Sequence, residues 1–217
     1  SSRPMSSDMS DYFARRETMV DTQVRPSDVT KFPIIEAMLT VPREQFVPVA
    51  KREAAYIGEN VDLGNGRVLI EARTLAKLLD ALDIQPDESV LDIGCAYGYS
   101  SAVIARIAGS VVGVEADTVM AAAAKAVPGV TVVTGPLADG AAGVFDAVIC
   151  QGGVEEIPDA IVQQIKDGGR IAAVFMQGAL GTARIGYKAE GRINWRFAFN
   201  ATAPVLPGFA KARAFAL

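Results

Sequence analysis

The stretch Val90-Leu91-Asp92-Ile93-Gly94-Cys95-Ala96-Tyr97-Gly98-Tyr99-Ser100 constrains this chain's fold more than any other. A short apolar run stops at Gly94, Gly98 follows, and residues 100–108 take up helical apolar spacing. Strand, tight turn and helix are expected, because glycine can turn sharply off a strand and lets a helix pack closely behind it. The alternation recurs. Residues 111–115, 130–133, 145–150 and 170–175 read as strands, with helices at the alanine-rich 119–127 and at 158–165. Residues 75–82 place Leu75, Leu78, Leu79 and Leu82 at helical spacing and lead into the first strand. This rhythm predicts right-handed crossovers and an α/β, Rossmann-like fold with a doubly wound, mostly parallel sheet.

The two ends depart from that rhythm. Residues 8–55 read as short helices broken by Pro26, Pro33, Pro42 and Pro48, with Asp28 or Thr30 as a cap and Pro33 in a first turn. Residues 60–67, with Gly64 and Gly66, read as an irregular loop suited to ligand contact. Residues 183–188 and 193–200 form an antiparallel C-terminal hairpin around Ala189-Glu190-Gly191, and 209–215 suggest a further strand. One sheet with an antiparallel edge is expected. The division is a helical N-terminal cap and loop over residues 1–74 and the Rossmann-like domain over 75–217, together one compact unit.

Composition narrows the chemistry. With no histidine in the chain, Ser-His-Asp and Cys-His catalysis and imidazole zinc sites are excluded. Hydrophobic residues make up 50%, enough to build a packed core. The 25 acidic against 21 basic residues give a charge of −4, which offers no general attraction for nucleic acid or anionic membranes, so neither is expected as a partner. Cys95 and Cys150 are too few for a disulfide scaffold or a four-cysteine metal site. No metal is expected, and the cytoplasm is the expected location. No apolar run reaches the roughly 20 residues of a membrane-spanning helix.

The glycine turn leaves backbone amides and a helix N-terminus facing the crevice at the strand ends. Asp92, just before Gly94, would repel a diphosphate but suits an ammonium, which favours S-adenosylmethionine over a dinucleotide. Glu115 ends the next strand, where a carboxylate can accept hydrogen bonds from ribose hydroxyls.

These residues resemble the protein-L-isoaspartate O-methyltransferases. The resemblance rests on Met19-Val20, Gln23-Val24-Arg25-Pro26, Val41-Pro42-Arg43 with Phe46-Val47-Pro48, Ala55-Tyr56, Gly64 with Gly66, the 91–99 turn, and 145–146 through Ile157-Pro158 to Gly168-Gly169-Arg170. It covers most of the chain, and Pro42-Arg43 with Phe46-Val47-Pro48 is its most particular part. It implies methyl transfer from S-adenosylmethionine to the α-carboxylate of an isoaspartyl residue in a damaged protein or peptide, as protein repair. It implies a cofactor-binding set of Asp92, Gly94, Cys95, Ala96, Tyr97, Gly98, Glu115, Ala116, Pro136 and Leu137, with the part before residue 75 on the acceptor side. No catalytic residue is assigned.

Three positions depart from the family's pattern. Ile70 stands at its serine, Ala96 at the middle glycine of the turn, and Gly135-Pro136-Leu137 where a Gly-Asp-Gly is usual, with Asp139 nearby as a substitute. They keep two alternatives open: a catalytically weak or inactive relative that binds cofactor or a protein partner, and a methyltransferase with a different acceptor. Four further features carry local expectations. Cys95 and Cys150 end strands that would be neighbours. Trp195, Phe197 and Phe199 alternate, so one face would be core or contact. Tyr97 either walls the crevice or packs on the N-terminal helices, and Glu155-Glu156 is a solvated helix start.

Overall fold

A computed structural model describes residues 5–213, with side chains from Asp11 onward. Helix α1 (Met5–Met19) runs into a π-turn at Val20–Val24 and a 3-10 turn at Arg25–Ser27. Helix α2 (Phe32–Thr40) follows, then 3-10 turns at Arg43–Phe46 and Val49–Ala54. Pro33 occupies the first turn of α2 as expected, where its missing N–H costs no helical bond. Neither Asp28 nor Thr30 caps that helix: Lys31 holds the N-cap position without a side-chain bond, and Asp28 sits at φ 63° in the preceding turn.

The irregular loop expected at 60–67 is instead a hairpin of β1 (Val61–Gly64) and β2 (Arg67–Leu69). Asn65 and Gly66 both take positive φ, 53° and 73°, the geometry of the tight turn that Asn-Gly favours between antiparallel strands. This pair forms a two-stranded sheet of its own, so the described residues form two sheets and not one.

Helix α3 (Ala72–Leu82) buries Leu75, Leu78, Leu79 and Leu82, and ends where Asp83 turns to φ 48°. The α/β alternation then runs β3 (Ser89–Ile93), α4 (Tyr99–Ala105), β4 (Ser110–Glu115), α5 (Thr118–Lys125) and β5 (Thr131–Thr134). It continues through β6 (Phe145–Val154), α6 (Asp159–Gln163), β7 (Ile165–Gln177), β8 (Leu180–Ala189) and β9 (Arg192–Asn200). The central sheet has the order β5-β4-β3-β6-β7-β8-β9, parallel from β5 to β7 and antiparallel beyond. The chain winds outward from β3 in one direction and returns at β6 in the other, so the topological switch lies beside the end of β3.

Alternation along the strands sorts the core onto two faces. Val90, Ala147, Ile149, Ala172 and Val174 pack with α2, α3, α4 and the N-terminal turns. Leu91, Ile93, Val148, Ile171 and Ala173 pack with Leu137, Ile161, Leu206 and Phe209 on the other face. Truncating any such leucine to alanine costs about 2–5 kcal/mol. In β9 the alternation is interrupted. Ala183 opposes Phe199 while Arg184 opposes Phe197, so Ala198 is an extra, bulged residue and the faces exchange. Trp195 therefore packs edge-on against Phe175, with centroids 4.6 Å apart, on one face, while Phe199 is buried on the other and Phe197 stays exposed.

The strand expected at 209–215 does not form over its described part, residues 209–213, and Phe215 lies outside the described residues. Pro204 and Pro207 have no amide to give, and Val205 makes only an isolated bridge to Gly153. The segment is pinned across the end of β6 by Gly153 N to Pro204 O at 2.7 Å and Leu206 N to Gly153 O at 2.8 Å. Among the described residues no helix is long and apolar enough to cross a membrane.

Candidate functional site

The turn after β3 is built as its glycines suggest. Gly94 lies at φ 80° and Gly98 at φ 103°, values that side chains resist, and both Gly94 N and Cys95 N donate to Val114 O, at 2.8 and 3.1 Å. A Cβ on Gly98 would come within 3.1 Å of Ala124 Cα, so glycine is what lets α4 and α5 approach. Ala96 also adopts positive φ, 52°, despite its methyl group. Ala96 thus holds a conformation that glycine adopts freely, at about 1–2 kcal/mol of backbone strain.

Two carboxylates are fully buried here, and their partners differ. Asp92 Oδ2 accepts from Ser100 Oγ at 2.6 Å and Ser101 Oγ at 2.7 Å, and Oδ1 from Gln151 Nε2 at 2.9 Å. Burial pushes its carboxyl above the usual range, opposed by those three hydrogen bonds. Asp92 is thus enclosed by neutral donors of α4 and β6 rather than open to the crevice. Glu115 sits at the end of β4. Its Oε1 accepts from Ala96 N at 2.8 Å and from Arg67 Nη2 at 2.7 Å, and its Oε2 from Arg67 Nη1 at 2.8 Å and Asp117 N at 3.0 Å. Arg67 and Glu115 form a buried, two-pronged ion pair, with side-chain exposures of 7% and 0%.

Arg67 was no part of the expected site, and it fills the site's centre. Its Nη2 lies 3.1 Å from where a Cβ of Gly94 would stand, and Leu206 Cδ2 comes within 3.5 Å of the same point. The crevice at the strand ends is therefore occupied by one side chain from β2 and one from the C-terminal segment. Beyond them, Ala116, Pro136 and Leu137 line a cavity of about 460 Å³ with Pro207 and Gly208. These are the expected residues of the β4 and β5 ends, and the structure brings them together. Asp139 lies in the 3-10 turn Leu137–Asp139 and does not line that cavity.

Cys95 points under the turn, with Sγ 2.9 Å from where a Cβ of Gly113 would stand; burial raises its thiol pKa and that of Cys150 far out of the reactive range. Tyr97 does not wall the crevice. It lines a separate groove of about 680 Å³ with Phe46, Val41 and Val127, on the side of the N-terminal turns. Ile70 is 2% exposed within the apolar core, and its carbonyl accepts from Arg43 Nη2 at 3.0 Å. Arg43 is itself fully buried, 4.9 Å from the Tyr99 ring. Glu155 accepts from Lys211 N at 3.1 Å, and the amides of Glu155 and Glu156 both donate to Phe209 O, so this pair anchors the C-terminal segment as well as meeting solvent.

A profile of the protein-L-isoaspartate(D-aspartate) O-methyltransferase family matches residues 14–191. The chain belongs to this family. Protein-L-isoaspartate O-methyltransferase 1 of Rhodopseudomonas palustris (strain HaA2) is 34% identical over 176 residues, which cover 77% of this chain and 72% of that protein. Protein-L-isoaspartate O-methyltransferase 2 of Marinobacter nauticus is 35% identical over 175 residues, covering 77% and 80%. A solved protein-L-isoaspartate O-methyltransferase superposes with a TM-score of 0.76 at 22% identity, over 89% of this chain and 66% of its own. A Plasmodium falciparum β-aspartate methyltransferase solved with S-adenosyl-L-homocysteine gives 0.74 at 16% identity, over 90% and 97%. At such identities the structures speak to the fold, which agrees with the methyltransferase architecture expected from the sequence. In this chain Arg67 stands against Glu115, and Ile70 is buried in the segment after the hairpin.

Proposed function

We propose that this chain is an S-adenosylmethionine-dependent carboxyl methyltransferase acting on isoaspartyl residues of damaged proteins or peptides in the cytoplasm. The observation that carries the reading is Glu115: a carboxylate at the end of β4, aimed across the glycine turn in a chain of this family. Its partner also tests the fit. Glu115 accepts two parallel N–H donors from a planar guanidinium, a pairing that two neighbouring ribose hydroxyls can reproduce. The cavity at Ala116, Pro136 and Leu137 is apolar and adjoins that carboxylate in sequence, as a purine slot requires.

In this reading Glu115 holds the ribose, Gly94, Cys95, Ala96, Tyr97 and Gly98 shape the turn beside the amino-acid tail, and Asp92 acts through Ser100 and Gln151, which it orients. When bound, S-adenosylmethionine supplies a methyl group on a sulfonium, which a carboxylate accepts by direct displacement. The acceptor is ionised at neutral pH, so the chain provides alignment and exclusion of water and needs no strong base. A sequence without histidine is suited to that task. The segment preceding Leu75 forms the acceptor side. There Ile70, buried in the apolar core, offers no hydroxyl to a carboxylate.

The test is transfer of labelled methyl to an isoaspartyl peptide and to its aspartyl counterpart. Labelling of the isoaspartyl peptide alone is expected. No labelling of either, with S-adenosylhomocysteine still bound, would place the chain among non-catalytic or differently directed relatives.

A further inference from the structure

We propose that Arg67 is a gate on the cofactor crevice: its ion pair with Glu115 must open before a nucleoside can bind. The proposal rests on the reading of this crevice as the S-adenosylmethionine site and adds the residue that controls it. Glu115 has two oxygens and four donors, two backbone amides and two prongs of Arg67, which leaves no acceptor capacity for ribose hydroxyls while Arg67 is in place. The guanidinium also lies against Gly94, where the turn would receive the ligand. Ligand and Arg67 thus compete for one carboxylate and one volume.

The pair is built to come apart. Arg67 belongs to the separate β1–β2 sheet, next to an exposed Asn65-Gly66 turn, and not to the central sheet that carries Glu115. Among the described residues its buried Nε has no hydrogen-bond partner and Glu115 is the one side chain that holds the head group. A buried donor without a partner costs free energy that release to water or to an anionic group recovers. The fraction of molecules with Arg67 withdrawn then scales the observed affinity, as for any ligand that binds a minor state. Leu206, clamped through Gly153, narrows the same opening from the other side.

The experiment is calorimetric titration of S-adenosylhomocysteine into the full chain, its Arg67→Gln variant and its Arg67→Lys variant, each first shown to melt cooperatively. Arg67→Gln should bind at least tenfold tighter than the unaltered chain. Arg67→Lys keeps a cation but loses the two-pronged contact, so it should fall between them. Equal affinity in all three would overturn the gate while leaving the site assignment standing. Absence of binding in all three at millimolar ligand would overturn both. Should Arg67→Gln fail to fold, the lysine variant decides: affinity no greater than that of the unaltered chain overturns the gate.

Discussion

Two arginine–glutamate pairs stand at opposite ends of the same sheet, and they are held in different ways. At the start of β3, Arg170 grips Glu88 with Nη1 and Nη2, both at 2.6 Å, and also donates from Nε to Leu82 O at 2.6 Å and from Nη2 to Asp83 O at 2.9 Å. Every nitrogen is used, and the pair ties the end of α3 to β7. At the other end Arg67 makes the same grip on Glu115, but its Nε is unused and its strand belongs to a different sheet. The first is a staple fixed by main-chain carbonyls; the second is a contact between two separately built pieces. The same ion pair is therefore structural where the backbone completes it and detachable where it does not.

Substitution at Glu115 should have the largest effect. Glu115→Ala removes the acceptor for both Arg67 prongs and for the amides of Ala96 and Asp117, at about 2–3 kcal/mol of stability, and should weaken S-adenosylhomocysteine binding at least 100-fold. Melting and titration of this variant check both; unchanged affinity would remove Glu115 from the site. Arg170→Ala should cost about 2 kcal/mol in denaturant unfolding, because Glu88 and the carbonyls of Leu82, Asp83 and Asp146 lose a donor, yet leave ligand affinity unaltered. A tenfold loss of affinity there would show that the two ends of the sheet are not independent.

Acid should separate Glu88 and Asp92 in sign. Hydrogen bonding to Arg170 lowers the Glu88 pKa, so its contribution is present above the ordinary carboxylate range and is lost as pH falls through the folded value. Burial raises the Asp92 pKa, so the native state binds the proton more readily than the unfolded chain, and stability falls as pH rises from the ordinary range through the raised value. Unfolding free energies of Asp92→Asn and Glu88→Gln across the acid range should lack these opposite slopes, each variant losing only its own.

The sheet and its turn were legible in the sequence because apolar period, glycine position and strand length agreed. The strand from Ser89 runs into a turn at Gly94 and Gly98 and Glu115 ends the next strand, as their spacing suggests, and the antiparallel C-terminal strands form around Glu190 and Gly191, both at positive φ. The hairpin at 61–69 was also signalled, by Asn65-Gly66, but two glycines so close together read as a loop when the flanking strands are this short. The bulge at Ala198 carries no composition mark, and it exchanges the faces of Trp195 and Phe199. Leu206 was not legible at all, and Arg67 only as the last residue of a segment suited to ligand contact. Each reaches the crevice from a segment far from β3 in sequence, and nothing in a single arginine or leucine announces a partner 48 residues away. Pro204 and Pro207, which rule out regular pairing for the segment carrying Leu206, were its only visible sign.

The most direct measurement is a crystal structure of the chain grown with S-adenosylhomocysteine. We expect the Glu115 carboxylate to face the ribose hydroxyls, with Arg67 withdrawn beyond hydrogen-bond reach. A bound ligand with the 2.7 and 2.8 Å contacts between Arg67 and Glu115 still intact would contradict both the gate and the role of Glu115.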